Sequence, residues 1–314
     1  LFNPVILPVI LCLLLSGFSC QKKSSRIDSL AAGFKNPPDS VRPGVYWYFM
    51  DGNLSREAMT ADLESMKEAG IGQVIFLEVN VGLPRGSVDF LSEAWQDLFT
   101  HAVREAERLG IEITLGIGPG WTGSGGPWVK PEQSMMHLVT SSVEINGPEA
   151  YSELLPVPEP YQPFFGEESV PAGLREIRQG YYEDVAVLAF PSPDGDIRIP
   201  DSEEKALYFR APFSSQAGVK PHLNAMADVR DVSAHEKINM DKILDITRFL
   251  QTDGRLKWDV PPGKWTIMRF GTRNNGAVTR PAPEPGLGFE CDKFDSVAFD
   301  AHFSEFAGKL LSKV

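Results

Sequence analysis

The side chains best suited to chemistry stand at the ends of three apolar runs. Asp51 follows "GVYWYFM", Glu78 and Asn80 close "GQVIFLEVN", and Trp121 lies in "GIGPGWTGSGGPWVKPE", directly after "IEITL". Apolar runs separated by helical patterns read as strands of a parallel sheet, where working groups gather at the C-terminal strand ends. Two carboxylates, an amide and an indole on one face suit a sugar. Carboxylates and amides exchange hydrogen bonds with hydroxyls, and an aromatic ring packs on the C–H face of a pyranose. Each residue also has a plainer reading. Asp51 in Asp-Gly-Asn fits a simple turn. Glu78, with no turn residue around it, is either a buried, paired carboxylate or a site residue. Trp47 and Tyr48 alternate across a strand, so at least one belongs to the core.

The Gly/Trp stretch sets the most permissive residue beside the bulkiest. Glycine lets a backbone approach a ligand closely or take positive φ, and Trp121 and Trp128 supply rigid apolar plates. A phosphate cradle is excluded, because the stretch has no Gly-Lys-Ser/Thr ending and opens no helix with Gly-x-Gly-x-x-Gly. The 5 histidines are scattered without ligand spacing, which argues against a zinc site. Glu290 and Asp292 in "ECD" carry the carboxylate oxygens that calcium prefers, and equally suit a solvated surface. A net charge of -12 with no basic stripe excludes a nucleic-acid partner.

These residues need a scaffold. "SREAMTADLESMKEAG" places Met59, Leu63 and Met66 on one helical face, with Ser55 as N-cap and Gly70 as the stop. "SEAWQDLFTHAVREAERLG" repeats the plan with Trp95, Leu98, Phe99, Ala102, Val103, Ala106 and Leu109 on one stripe, capped by Ser92 and ended by Gly110. The continuous apolar run ending at Glu78 suits a strand covered on both faces. Consecutive strand–helix units with right-handed crossovers follow, spanning 42–133.

From 134 to 275 the style changes to short strand-like runs, "HLVTSSVEI", "DVAVLAF" and "ALYFRAPF", with prolines between them. This predicts an inserted β domain of sandwich type. Within it, "LKWDVPPGKWTIMRF" reads as a hairpin turning at Pro262-Gly263. Residues 276–314 return to the first style, with a short strand around Phe289 and a helix carrying Phe299, Phe303, Phe306 and Leu310 on one face. The fold expected is α/β: a partial (β/α)8 TIM-type barrel interrupted by a β-sandwich-like insertion. About three units and the start of a fourth are present, against eight in a full barrel. A small open α/β sheet with an insertion is the alternative.

The first 20 residues form an apolar block broken by two prolines, Pro4 and Pro8, and ending at Cys20. That pattern fits a secretory signal better than a permanent span. Gly17, Phe18 and Ser19 before Cys20 resemble a bacterial lipoprotein cleavage site, although Gly17 stands where a bulkier aliphatic residue is usual. The alternative is a cysteine that merely ends a signal. On the lipoprotein reading the protein is exported, periplasmic or anchored in the outer membrane, and touches the membrane only through a lipid on Cys20. Residues 21–41 read as a tether. Cys291 is then the one thiol left, so no disulfide framework forms. The chain begins at Leu1 without a basic start, which leads us to expect that residues precede it.

Four separated motifs, "VYWYFMDGNLSREAMTADLESMKEAGIG", "GPGWTGSGGPWVKPEQSM", "DGRLKWDVPPGKWTIMRFG" and "GFECDKFD", are together similar in order and spacing to the N-terminal region of glycoside hydrolase family 106, the α-L-rhamnosidases. The resemblance runs from about Arg42 to Val314. It implies a barrel interrupted by β domains, removal of terminal rhamnose from plant polysaccharide or related glycans, calcium at the active site, and inversion of configuration by two glutamates. Such a mechanism places an acid and a base about 6.5 to 9.5 Å apart. The resemblance puts both beyond Val314, so no acid or base is assigned here and the chain alone is expected to be inactive. Asp51, Glu78, Asn80, Trp121 and Glu290 are the sugar-binding candidates, and Asp292 the calcium candidate. The competing reading is a non-catalytic surface lipoprotein that captures glycans.

Overall fold

The computed structural model describes residues 26–163, 165–195 and 233–314. The signal segment, Cys20 and the run "ALYFRAPF" lie outside the described residues. No helix among the described residues is long and apolar enough to cross a membrane. By contacts the chain divides into two compact units. One holds residues up to Trp47 with Ser55–Phe76 and His101–Leu115, and the other holds Tyr48–Leu54, Leu77–Thr100 and Gly116–Val314.

The elements open with α1 (Arg26–Lys35), β1 (Gly44–Met50), α2 (Arg56–Glu68), β2 (Gln73–Val79), α3 (Glu93–Leu109) and β3 (Glu112–Leu115). The three strands form one sheet in the order β1-β2-β3, with β2 and β3 parallel from Gln73↔Glu112 to Phe76↔Leu115. Both long helices start and stop where local chemistry dictates. Ser55 Oγ accepts the Ala58 N–H at 3.1 Å, and Ser92 Oγ accepts that of Trp95 at 3.3 Å. At the other end, Gly70 (φ +82°) and Gly110 (φ +64°) take the left-handed conformation. Ile71 N–H then reaches Met66 O at 2.9 Å while Gly70 N–H reaches Lys67 O at 3.0 Å. That paired pattern satisfies carbonyls the helix leaves open and turns the chain into the next strand.

In the first unit, Met59 and Leu63 of α2 are fully buried. Trp47 is the core member of its pair with Tyr48: it packs edge-on to Phe76 at 5.6 Å and donates its indole N–H to Asp62 at 3.0 Å. β2 is not covered equally on both faces. Val74, Phe76 and Glu78 are buried, while Gln73, Ile75 and Leu77 are half-buried.

In the second unit β4 (Met136–Leu154), α4 (Ala172–Gly180), β5 (Glu183–Pro191), β6 (Leu244–Asp245) and β7 (Arg255–Asn274) follow. The strands make one sheet in the order β4-β7-β5-β6. The expected hairpin at Pro262-Gly263 is not there. β4 and β7 are antiparallel over almost their whole lengths, from Met136↔Asn274 to Leu154↔Arg255, with the register shifting between Gly147 and Glu149. The Pro-Gly signal therefore marks a bend in a long ribbon. Gly147 lies so close to Pro261 that a Cβ would sit 2.0 Å from its carbonyl oxygen, and Gly263 opposite takes φ +109°. Before the bend Leu256, Trp258 and Val260 point inward, and after it Trp265, Ile267 and Arg269 do, so the inward parity switches. Both arms feed one apolar core, where Trp258 and Trp265 meet edge to face at 5.6 Å. Among the described residues, one bent sheet thus supplies what a sandwich takes from two.

The last segment departs from expectation in two ways. Phe289 forms isolated bridges to Gly126 and Val278 rather than a strand. The closing helix, α5 (Ser296–Phe303), runs through a π-helical turn at Ser304–Gly308 into α6 (Lys309–Leu311), and buries Ala298, His302, Phe306 and Leu310. Phe299 and Phe303 face outward. Phe306 and Leu310 face inward as predicted, but in the first two turns Ala298 and His302 replace Phe299 and Phe303, one position away, where His302 holds the loop beneath it.

Candidate sugar site

The end of β1 is a tight turn. Asn53 N–H returns to Met50 O at 3.1 Å, and both central residues, Asp51 (φ +44°) and Gly52 (φ +81°), have positive φ, as Asp-Gly pairs do in type I′ turns. Glu78 fastens it. One carboxylate oxygen accepts the Gly52 N–H at 2.7 Å, and the other accepts the Trp95 indole N–H in a short contact. Burial pushes the Glu78 carboxyl up to about 7; the charge of Asp51 adds to this, while the two hydrogen bonds oppose it. Asp51 is itself buried, and its Oδ1 has no hydrogen-bond partner. The two carboxylates therefore sit together beneath the turn.

Above them three loops interlock by backbone. Gly120 N–H donates to Glu78 O, Trp121 N–H to Arg280 O, and Asn80 N–H to Pro281 O, each at 2.9 Å. The glycines of the Gly/Trp stretch are needed for this: a Cβ on Gly120 would lie 2.6 Å from the Arg280 carbonyl carbon, and one on Gly125 2.4 Å from Phe289 O. The two tryptophans divide the work. Trp128 turns inward, donating to His302 Nδ1 at 3.1 Å and stacking on that ring at 5.9 Å. Trp121 is 64% exposed and stands over two adjoining cavities.

The larger cavity, about 470 Å³, is lined by Trp121, His137, Phe165, Ser169, Arg280 and Glu290 among others. The smaller, about 410 Å³, shares Trp121, Ser169 and Arg280 with it and adds Asn80 and Pro281. His137 is neutral there, its pKa lowered to about 4 by burial and by the nearby Arg178 charge. Glu290 is ion-paired with Lys293 at 2.6 Å. Burial also lowers the pKa of the Arg280 guanidinium, which lies over the Phe165 ring at 4.2 Å.

Of the predicted site residues, Asn80, Trp121 and Glu290 line this groove. Asp51 and Glu78 line neither cavity and act within the fold, each with its turn and partners. Asp292 is elsewhere employed: its Oδ1 accepts the Phe294 N–H at 2.9 Å. Calcium takes roughly six to eight oxygens, and among the described residues no three His, Cys, Asp or Glu side chains gather to hold a metal. Glu290 and Asp292 do not supply that cage. Sequence reasoning passed over Arg280, Phe165 and His137. Arg280 offered a signal, as the single cation in the Gly/Ala/Pro-rich "GAVTRPAPEPGLG".

A family model described as alpha-L-rhamnosidase, glycoside hydrolase family 106, matches residues 35–314. A protein of Formosa agariphila described as "Putative beta-glucuronidase" is 34% identical over 313 residues, which is 99% of this chain and 25% of that protein. A rhamnosidase structure from Novosphingobium sp. PP1Y superposes with a TM-score of 0.67 at 25% identity, covering 90% of this chain and 38% of that one. The chain thus spans about a quarter of the curated relative. On the extent of the family match and the shared fold, the chain belongs to glycoside hydrolase family 106.

Proposed function

We propose that this chain belongs to an exported enzyme that removes terminal α-L-rhamnose from plant polysaccharide or a related glycan with inversion. Its part is to bind and orient the sugar. One observation carries this: an exposed indole, Trp121, stands over a groove that also presents Asn80, Arg280 and Glu290. An aromatic plate with a few converging polar groups is the usual equipment for a pyranose. We read β1 to β3 as the opening strands of a (β/α)8 barrel, whose strand ends hold this groove.

The chain's residues perform the binding steps of such a reaction. Trp121 covers the apolar ring face and displaces water from it. Asn80, whose side-chain oxygen already takes the Gly82 N–H at 3.0 Å, has its amide N–H groups for a hydroxyl. Glu290, charge-balanced by Lys293, accepts from hydroxyls. Asp51 and Glu78 keep the floor rigid. Inverting hydrolysis adds a protonated carboxyl for the leaving oxygen and an ionised one for water. No residue of this chain is given either role.

The test is hydrolysis of p-nitrophenyl α-L-rhamnoside by the full-length protein containing this chain, with p-nitrophenyl β-D-glucuronide in parallel. Release from the rhamnoside, with the β-anomer of rhamnose appearing first by NMR, is the expected result. Release from the glucuronide alone overturns the rhamnose assignment. Binding of rhamnosides without hydrolysis establishes glycan capture instead. Export through a lipid on Cys20 is tested separately, by incorporation of labelled palmitate that a Cys20→Ser variant abolishes.

A further inference from the structure

Arg280 is the conspicuous group in the groove. A guanidinium carries five N–H donors in a rigid fork. Here the hydrogen bond it makes is one long contact from Nη2 to Ser169 O at 3.5 Å, with the Phe165 face beneath it at 4.2 Å. Among the described residues no carboxylate lies within ion-pairing distance of it. Glu290 is nearest in charge and is already held by Lys293 at 2.6 Å. Arg178, the other cation nearby, is buried and paired with Glu167 at 2.9 Å.

The balance of charge follows from these pairs. Glu290 and Lys293 cancel, Glu167 and Arg178 cancel, and His137 is uncharged at neutral pH because burial lowers its pKa. One positive charge remains, facing two joined cavities, in a chain whose net charge is -12. The charge of Glu290 acts on Arg280 without pairing with it, and a half-buried cation with no ion-pair partner is costly unless something supplies one. A bidentate oxyanion is the partner whose geometry matches the fork.

We propose that the Arg280 side of this groove is a subsite for an acidic sugar that adjoins the one stacked on Trp121, its carboxylate or sulfate held by Arg280. The proposal rests on the reading of the groove as a glycan site and adds the class of sugar it selects. The anion belongs to the substrate and takes no part in bond cleavage. Its function is to choose glycans in which an acidic residue adjoins the one being removed.

The experiment is titration calorimetry of the full-length protein with methyl glucuronide, glucose 6-sulfate, methyl glucoside and inorganic sulfate. We expect one or both acidic sugars to bind at least tenfold more tightly than the neutral one, with bare sulfate weaker than either. The tighter of the two acids identifies the anion. Arg280→Gln is expected to abolish the preference, so that acidic and neutral sugars bind alike, and Arg280→Lys to restore part of it. Raising salt in the wild type, which needs no folded variant, is expected to erode the preference. Equal binding of acidic and neutral sugars, a preference that survives Arg280→Gln, or sulfate binding as tightly as the sugars would each overturn the proposal. If none of these binds while methyl α-L-rhamnoside, titrated alongside, does, the acidic subsite alone is overturned; if the rhamnoside fails to bind as well, the glycan reading falls with it.

Discussion

Nδ1 of His302 accepts the indole N–H of Trp128 at 3.1 Å, across 174 residues of sequence. The same nitrogen accepts the Gly125 N–H at 3.2 Å, and Nε2 donates to Ile117 O at 2.7 Å. One neutral imidazole thus pins three points of the Gly/Trp loop. Burial lowers its pKa below the ordinary 6.5.

With the folded pKa of His302 depressed, the unfolded chain binds the extra proton first, so stability is complete above pH 6.5 and falls as the pH drops below it. His302→Leu should lower stability by about 2 to 4 kcal/mol at pH 8 and flatten this acid limb. Urea unfolding at pH 5 to 8 measures both; an unchanged acid limb in the variant would assign it to other groups.

Glu78 works in the opposite direction. Its folded pKa of about 7 lies above the ordinary 4.5, so the folded chain holds the proton more tightly. Its contribution is full below pH 4.5 and is lost as pH rises through 7. Glu78→Gln should remove that slope. It should also cost about 1 to 3 kcal/mol, because an amide offers one acceptor oxygen to two N–H donors. Melting curves of both proteins between pH 5 and 8 should converge toward the alkaline end.

Trp121→Ala separates binding from folding. An exposed side chain should change stability by no more than about 0.5 kcal/mol. Loss of the stacking plate should weaken sugar binding about two- to tenfold. Calorimetry and thermal melts on one preparation decide it, and a large fall in melting temperature with unchanged affinity would make Trp121 structural.

Gly288→Ala tests the interlocked backbone. Its Cβ would lie 2.0 Å from the Gly126 carbonyl carbon, and its φ is not in the left-handed region, so the penalty is steric alone. A loss of about 3 kcal/mol or more is expected. Substitution at Gly123, where a Cβ meets nothing within 4 Å, is the control and should be near neutral.

Local signals were legible wherever one short segment decides the outcome. Ser55, Ser92, Gly70 and Gly110 bound their helices as their types demand, and Trp95, Leu98 and Phe99 face inward as their spacing requires. The failures came where a distant partner decides. Pro262-Gly263 carries a hairpin's chemistry, but β4 lies alongside both arms and converts the turn into a bend. The closing helix has two overlapping apolar stripes, and contact with Ile117 and Trp128 selects the one through His302. Glu78 and Asp51 were recognised as unusual, yet a buried carboxylate and a ligand-facing one look alike until Gly52 and Trp95 are seen to occupy it. Arg280 escaped because an unspent guanidinium is visible only against the pairs around it.

The bent ribbon of β4 and β7 also limits how relatives of this chain can vary in length. In β7 the inward residues have even numbers before the bend at Gly263 and odd numbers after it, whereas in β4 Val139, Val143, Ile145 and Tyr151 keep one parity past Gly147. Side chains alternate with period two, so inserting or deleting one residue in either arm turns that arm's apolar face to solvent and its charges to the core. Two residues at once preserve the alternation. Length changes in this ribbon should therefore come in matched pairs across both strands, or fall at the bend itself, where the phase is already broken.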